Sequence, residues 1–113
     1  MKYGYVRVST EGQNVDRQME EMYNLGLDND TIYIDIQSGK DFERNNYKIL
    51  KSKLKRNDLL IIKSIDRLGR NYDMIINEWK EITKIIEANI YVIDFPLLNT
   101  QSDNNLINKF YRT

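Results

Sequence analysis

The 113-residue chain contains no cysteine and no histidine. Without cysteine it can form no disulfide framework, no zinc–thiolate site and no cysteine nucleophile. Without histidine it can supply neither a Ser-His-Asp triad nor histidine ligands for a metal. Any nucleophilic chemistry in this chain must therefore use other side chains.

The chain also lacks an excess of either charge, because lysine plus arginine and aspartate plus glutamate both total 17. A domain without net positive charge is a poor free-standing DNA binder, since non-specific affinity comes from neutralising phosphates. A nucleic-acid role would need local clustering of basic side chains or a partner segment. No apolar run is long enough to span a membrane and no signal-peptide pattern is present, so we expect a cytoplasmic protein.

Helical and strand-like patterns alternate along the sequence, which predicts a single α/β domain. Four strands are predicted, at 2–9, 31–36, 58–65 and 90–95. The third is almost continuously apolar, as in a parallel strand that is covered on both faces. Helices are predicted at 15–25, 46–56 and 71–87. We expect residues 1–98 to form the domain and residues 99–113 to be a polar connector and the start of a truncated long helix.

The first strand places an arginine and a serine on one face. Side chains of a strand alternate, so Arg7 and Ser9 share a face with Tyr5. An arginine does not normally lie within a small core unless it has a partner. Ser9 stands at the carboxyl end of the strand, which is where open α/β sheets bind ligands.

Further arginines are predicted to reach the same edge. Arg67 and Arg70 follow the third strand and would share a face if their connector is helical. The first and third strands are neighbours in most doubly wound sheets, so their carboxyl ends meet. Arg44 follows the second strand at this edge. Several guanidinium groups around the Ser9 hydroxyl would form a phosphate site.

This pattern indicates phosphoryl transfer with a serine nucleophile, in which fixed arginines stabilise the developing charge. The base is open between Asp66, water and a serine whose pKa is depressed by arginine. The amides of Gln13 and Gln18 either bind a phosphate oxygen or are simply solvated. Acidic residues are scattered, so no metal site is predicted, and residues 10–14 lack the Gly-Lys-Ser/Thr of a phosphate-loop NTPase.

Taken together, these residues resemble the catalytic domain of the serine recombinases, the resolvase/invertase family. The pairing of Tyr-x-Arg-Val-Ser at the N-terminus with Asp-Arg-Leu-Gly-Arg about sixty residues later is highly specific. The residues that match the family pattern are Tyr5-Val6-Arg7-Val8-Ser9-Thr10, Gln13, Gln18, Asp35, Ser38-Gly39, Glu43-Arg44, Lys53, Asp58 and Asp66-Arg67-Leu68-Gly69-Arg70-Asn71.

The resemblance implies a resolvase-like three-layer α/β/α fold with a mainly parallel sheet of strand order 2-1-3-4. It implies that Ser9 attacks a DNA phosphate to give a 5′-phosphoserine link, without metal or nucleotide cofactor. Asp66 would orient arginines or help proton transfer. The arginines implied to hold the phosphate are Arg7, Arg67, Arg70 and Arg44, and the supporting residues are Tyr5, Gln13, Gln18, Ser38 and Lys53.

The family also implies double-stranded DNA with a specific recombination site as the partner. A full-length member forms a homodimer and a synaptic homotetramer through a long helix, and it carries a separate DNA-binding domain. This sequence holds only the first residues of that helix. We therefore expect the 113-residue fragment to be a monomer or weak dimer that does not recombine DNA by itself.

One departure from the family pattern and two alternative functions stand beside this resemblance. Asn45 and Asn46 replace the proline or lysine and the glycine that often follow the family's arginine, which would alter loop geometry. A non-catalytic binding or regulatory module that keeps the recombinase fold is the alternative function. A flavodoxin-like ligand-binding domain is a third hypothesis, but its phosphate loop is missing.

Overall fold

The computed structural model describes residues 1–8, 15–36 and 44–99. They form β1 (Lys2–Val8), α1 (Val15–Asn24), β2 (Ile32–Ile36), α2 (Asn45–Lys53), β3 (Leu59–Ile62), α3 (Tyr72–Lys80) and β4 (Asn89–Val92). Single 3-10 turns lie at Ile65–Leu68 and Pro96–Leu98, and a π-helical turn at Glu81–Ile85 continues α3. Residues 100–113, which include the predicted start of a truncated long helix, lie outside the described residues, as do Ser9, Gln13 and Ser38.

The four strands form one sheet of order β2-β1-β3-β4. Every pairing is parallel, with Arg7 of β1 opposite Asp35 of β2 and Tyr5 of β1 opposite Ile62 of β3. The predicted α/β class, parallel sheet and strand order 2-1-3-4 are confirmed. The carboxyl ends of β1, β2 and β3 therefore lie side by side at one edge.

Helices cover both faces of this sheet, which gives the three expected layers. On β1, Val6 and Val8 are buried in the cluster that contains Met22 of α1. Tyr3 and Tyr5 are buried in the opposite cluster, with residues of α2 and of the turn after α3. The period-two alternation of β1 thus assigns each side chain to one of two cores.

Three elements end earlier than predicted. Strand β3 stops at Ile62 because a 3-10 turn follows, in which the Arg67 N–H donates to the Ser64 carbonyl oxygen at 3.1 Å. Strand β4 stops at Val92, whose carbonyl oxygen accepts from the Phe95 N–H at 3.2 Å. Helix α2 stops at Lys53, and the extended residue that follows it caps two carbonyl groups of the last turn. At each of these places, local hydrogen bonds of a turn or a cap end the element before the residue that its sequence pattern predicts.

Helix α3 begins one residue later than predicted, because Asn71 is its cap. The Asn71 side chain accepts a hydrogen bond from the Met74 N–H at 2.8 Å, which caps the first turn. At its other end the helix widens, and the Ile86 N–H donates to the Glu81 carbonyl oxygen five residues earlier. No helix in the part of the chain that the structure describes is long and apolar enough to cross a membrane.

Candidate active site at the carboxyl edge of the sheet

Arg7 joins β1 to the connector that follows β3. Its side chain is half-buried near the end of β1. The Nη2 atom donates a hydrogen bond of 2.7 Å to the backbone carbonyl oxygen of Asp66. The contact brings the two sequence segments that carry the arginine-rich motifs together at one edge.

Arg44 reaches the same connector from the second strand's side. It is 6% exposed and directly precedes α2. Its Nη1 atom donates to the carbonyl oxygen of Arg67 at 3.1 Å, and its Nη2 atom lies 3.9 Å from the Met74 sulfur. Its guanidinium carbon lies 4.0 Å from the centroid of the Tyr47 ring. Arg44 is therefore held on the connector by contacts with three different elements.

Arg67 has a hydrogen-bond donor at this edge that no described residue accepts. Its Nη1 atom pairs with the Asp66 carboxylate at 3.2 Å, and that carboxylate also accepts from the Ser64 hydroxyl. The Nε atom of Arg67 is buried and has no hydrogen-bond partner within residues 1–8, 15–36 and 44–99. A buried guanidinium N–H without a partner is costly unless a ligand satisfies it.

The electrostatics of the edge are those of a cationic cluster. Burial lowers the pKa of Arg7, and the positive charges of Arg67 and Arg44 act in the same direction, against Tyr5 and Asp66. The side chain of Asp66 is 62% exposed, so much of its charge is screened by solvent. Three guanidinium groups that repel one another favour an anion between them.

Arg67 and Arg70 were expected to share a face only if the connector between them is helical, and it is not helical throughout. The 3-10 turn ends at Leu68, and Gly69 is extended. Helical spacing therefore does not relate Arg67 to Arg70. Arg70 lies exposed just beyond Gly69.

Asp35 of β2, which lies opposite Arg7 in the sheet, joins β1, β2 and α2. It is 7% exposed, and its Oδ2 atom accepts from the Tyr5 hydroxyl at 2.8 Å and from the Tyr47 N–H at 3.0 Å. Its Oδ1 atom accepts from the Asn46 N–H at 3.0 Å. A carboxylate that satisfies the first N–H groups of a helix also complements the helix dipole. Asp35 thereby fixes the start of α2, where Arg44 stands.

The Tyr5 side chain is a buried phenol that donates a hydrogen bond from its hydroxyl to Asp35. Burial raises its pKa, and the hydrogen bond to Asp35 acts in the same direction. The hydroxyl therefore stays protonated and donates to the carboxylate. The structure assigns this hydroxyl a contact with Asp35, a residue that the sequence matched to the family but to which it gave no role.

The remaining predicted residues are not all gathered at this edge. Lys53 donates to the Tyr33 hydroxyl at 2.8 Å. It stands at the other end of α2 from Arg44, and nine helical residues span about 13 Å. Gln18 is 9% exposed in α1, and among the described residues its Oε1 atom has no hydrogen-bond partner. The structure thus brings Arg7, Arg44, Arg67 and Asp66 together and leaves Lys53 apart.

Sequence reasoning gave no site role to two residues that shape the site. Asp35 lies opposite Arg7 in the β1–β2 register, so a carboxylate at the end of β2 was the available signal. Tyr47 was covered only by the helix predicted at 46–56, and no sequence signal pointed to its contact with Arg44. In the described ranges, no group of three or more acidic residues could hold a metal ion.

Comparison with known proteins identifies the family of the chain. Residues 2–110 match the family model "Resolvase, N terminal domain". The chain belongs to this family.

The similar proteins are named as resolvases or as a site-specific recombinase. The chain is 34% identical over 79 residues to a Transposon Tn3 resolvase of Escherichia coli, covering 70% of this chain and 43% of the relative. It is 34% identical over 104 residues to a resolvase of Clostridium perfringens, covering 92% and 54%. It is 33% identical over 94 residues to the R46 site-specific recombinase of Escherichia coli, covering 82% and 47%. The chain spans about half the length of these relatives.

Proposed function

We propose that this chain is the catalytic domain of a site-specific DNA recombinase that uses Ser9 as its nucleophile. The observation that carries the proposal is the gathering of Arg7, Arg44 and Arg67 at the carboxyl edge of the sheet. Ser9 is the next residue after Val8, the last residue of β1. Family membership and the names of the relatives support the same reaction.

The reaction would be a phosphoryl transfer that conserves the phosphodiester energy. The Ser9 oxygen attacks the scissile phosphorus, its bond to phosphorus forms, and the bond from phosphorus to the 3′-oxygen breaks. The serine proton passes to water or to the Asp66 carboxylate, and the leaving 3′-oxygen takes up a proton. The products are a 5′-phosphoserine link and a 3′-hydroxyl. Attack by a 3′-hydroxyl on that link reverses the step and rejoins DNA.

The arginines would lower the barrier by stabilising charge. A phosphodiester gains negative charge on its oxygens as the serine approaches, and preorganised guanidinium groups bind that charge without reorganising. The unpartnered Nε of Arg67 supports a donor role toward the phosphate, within the described residues. The contacts of Arg7 and Arg44 with the backbone of the connector would preorganise all three groups.

The partner would be double-stranded DNA at a specific site. Because the chain has zero formal net charge, the affinity for DNA would rest on this local cluster and on further segments of the complete protein. We further propose that the complete protein works as a homodimer that pairs into a synaptic homotetramer. In this scheme residues 1–98 supply the chemistry.

Covalent capture of DNA tests the proposal. The complete protein is incubated with fragmented genomic DNA of its source organism, because the target site is not specified by this chain. We expect a detergent-resistant protein–DNA adduct whose DNA-linked peptide contains Ser9. The adduct should be absent from Ser9→Ala and unchanged in Ser52→Ala, an exposed serine of α2.

Two results would count against the proposal. An adduct that persists in Ser9→Ala would assign the nucleophile to another residue. DNA binding without an adduct in the unsubstituted protein would favour the alternative, a non-catalytic binding module that retains the fold.

A further inference from the structure

The Tyr47 ring is the surface on which the Arg44 guanidinium rests. The guanidinium carbon lies 4.0 Å from the ring centroid. Both residues are almost completely buried, with Arg44 6% and Tyr47 2% exposed. A cation over an aromatic face is held most strongly where water is excluded. The contact therefore restricts the orientation of Arg44 more than a surface contact would.

Tyr47 is itself held by three neighbours. The Tyr47 N–H donates to Asp35 at 3.0 Å, and its ring centroid lies 5.0 Å from that of Tyr5. Its hydroxyl donates to Glu78 Oε1 of α3 at 2.6 Å. Tyr47 thus connects the start of α2 to the sheet and to α3.

Glu78 is held in turn by a lysine. The Lys51 ammonium lies 2.9 and 3.1 Å from the two Glu78 oxygens and 2.7 Å from Glu81. A phenol that donates to a carboxylate makes a charge-assisted hydrogen bond, and the electron density of its ring increases. Such a ring attracts the cation of Arg44 more strongly.

We infer that Tyr47 and Glu78 are positioning residues that hold the Arg44 guanidinium ready for the scissile phosphate. The inference rests on the function proposed above. Neither residue touches the reacting atoms in this scheme. Glu78 acts through the Tyr47 ring, and the ring acts through Arg44.

Rates of DNA cleavage by the complete protein at saturating DNA give the first test. Tyr47→Leu removes the ring surface, and we expect cleavage to slow about 10- to 100-fold, as for other displaced catalytic groups. Tyr47→Phe keeps the ring and loses only the hydroxyl contact, and about two- to tenfold slowing is expected. Tyr23→Phe, which removes an exposed hydroxyl from α1, is the matched control and should change the rate less than about twofold.

A double-substitution cycle separates positioning from general stability. In an Arg44→Ala background, Tyr47→Leu should slow cleavage by less than about twofold further, because the group that it positions is gone. If Tyr47→Leu slows cleavage by the same factor with and without Arg44, the inference is overturned. Should Tyr47→Leu fail to fold, Tyr47→Phe and Glu78→Gln are compared in the same two backgrounds.

The NMR resonances of the Arg44 side chain give a second test, which does not depend on the proposed function. The Tyr47 ring current shifts the Arg44 side-chain resonances, so these should move toward ordinary values in Tyr47→Leu and much less in Tyr47→Phe. Identical Arg44 resonances in the unsubstituted protein and Tyr47→Leu would overturn the inference even if DNA is cleaved. Absence of cleavage with the expected resonance changes would instead overturn the proposed function and leave Arg44 positioned by Tyr47.

Discussion

The Nη2 atom of Arg7 lies 2.7 Å from the backbone carbonyl oxygen of Asp66, across 59 residues of the chain. This contact joins the end of β1 to the connector after β3. The carbonyl satisfies part of a half-buried guanidinium that would be costly within a strand without partners. It also aligns the connector so that Arg67 and Arg44 approach Arg7, which is the basis of the candidate site.

Under the proposed function, removal of Arg67 from the complete protein should slow DNA cleavage without unfolding the protein. We expect Arg67→Ala to lower the single-turnover cleavage rate about 10²- to 10³-fold, the usual effect of deleting one preorganised donor. The reason is that Arg67 has an Nε donor without a partner among the described residues. Arg56→Ala, which loses an exposed contact with Glu87, is the matched control. A change below about threefold for Arg67→Ala would contradict a role in charge stabilisation.

Asp35 should be a major contributor to stability. Asp35→Ala leaves the Tyr5 hydroxyl and the N–H groups of Asn46 and Tyr47 without their acceptor, so we expect a loss of about 3 kcal/mol in the free energy of unfolding. Urea denaturation measures this value. Asp30→Ala at an exposed turn should change it by less than about 0.5 kcal/mol. Equal effects of the two substitutions would show that Asp35 does not anchor α2.

Gly69 should tolerate a methyl group less well than Gly4. A Cβ atom at Gly69 would lie 2.7 Å from the Met74 side chain and 2.9 Å from the backbone nitrogen of Ile75. At Gly4 the nearest atoms would be those of flexible side chains, Leu27 at 2.7 Å and Met22 at 2.9 Å. Backbone cannot move aside as a side chain can, so the upper part of the usual overpacking cost of about 1–3 kcal/mol is expected for Gly69→Ala.

Thermal unfolding and cleavage rates together check this prediction. Because Gly69 separates Arg67 from Arg70 in the connector, Gly69→Ala should also slow cleavage. Gly4→Ala adds a methyl group on the face of β1 that packs against Met22 of α1. It should reduce stability and leave the cleavage rate of the folded protein nearly unchanged. The reverse order of effects would contradict the steric argument.

Stability should fall at alkaline pH. Burial raises the pKa of Tyr5 and of Tyr47, and their hydrogen bonds to Asp35 and Glu78 act in the same direction. The unfolded chain therefore loses these protons first, above its tyrosine pKa of about 10. The stabilisation is complete below that pH and is lost as pH rises, by up to about 1.4 kcal/mol per pH unit for each tyrosine.

Urea denaturation between about pH 9 and 11 measures this dependence. Tyr5→Phe should be less stable at neutral pH but should show a flatter decline, because one of the two phenols is absent. Parallel curves for the unsubstituted protein and Tyr5→Phe would exclude a raised pKa for Tyr5 in the folded state.

The sequence alone determined the α/β class, the strand order through the family resemblance, and the edge at which the arginines meet. Alternation along β1 sufficed to assign Tyr5 and Val6 to opposite cores, because the geometry of a strand repeats every two residues. Parallel strands then align their carboxyl ends whatever the side chains are. These features depend on local periodicity and on a specific motif.

Only the tertiary structure decided how the individual side chains are held. It assigned Asp35 to the start of α2, placed Tyr47 under Arg44, and put Lys53 next to Tyr33, away from the cluster. Each of these contacts joins elements that are distant in sequence. Their distances follow from the packing of helices against the sheet, which no local pattern encodes.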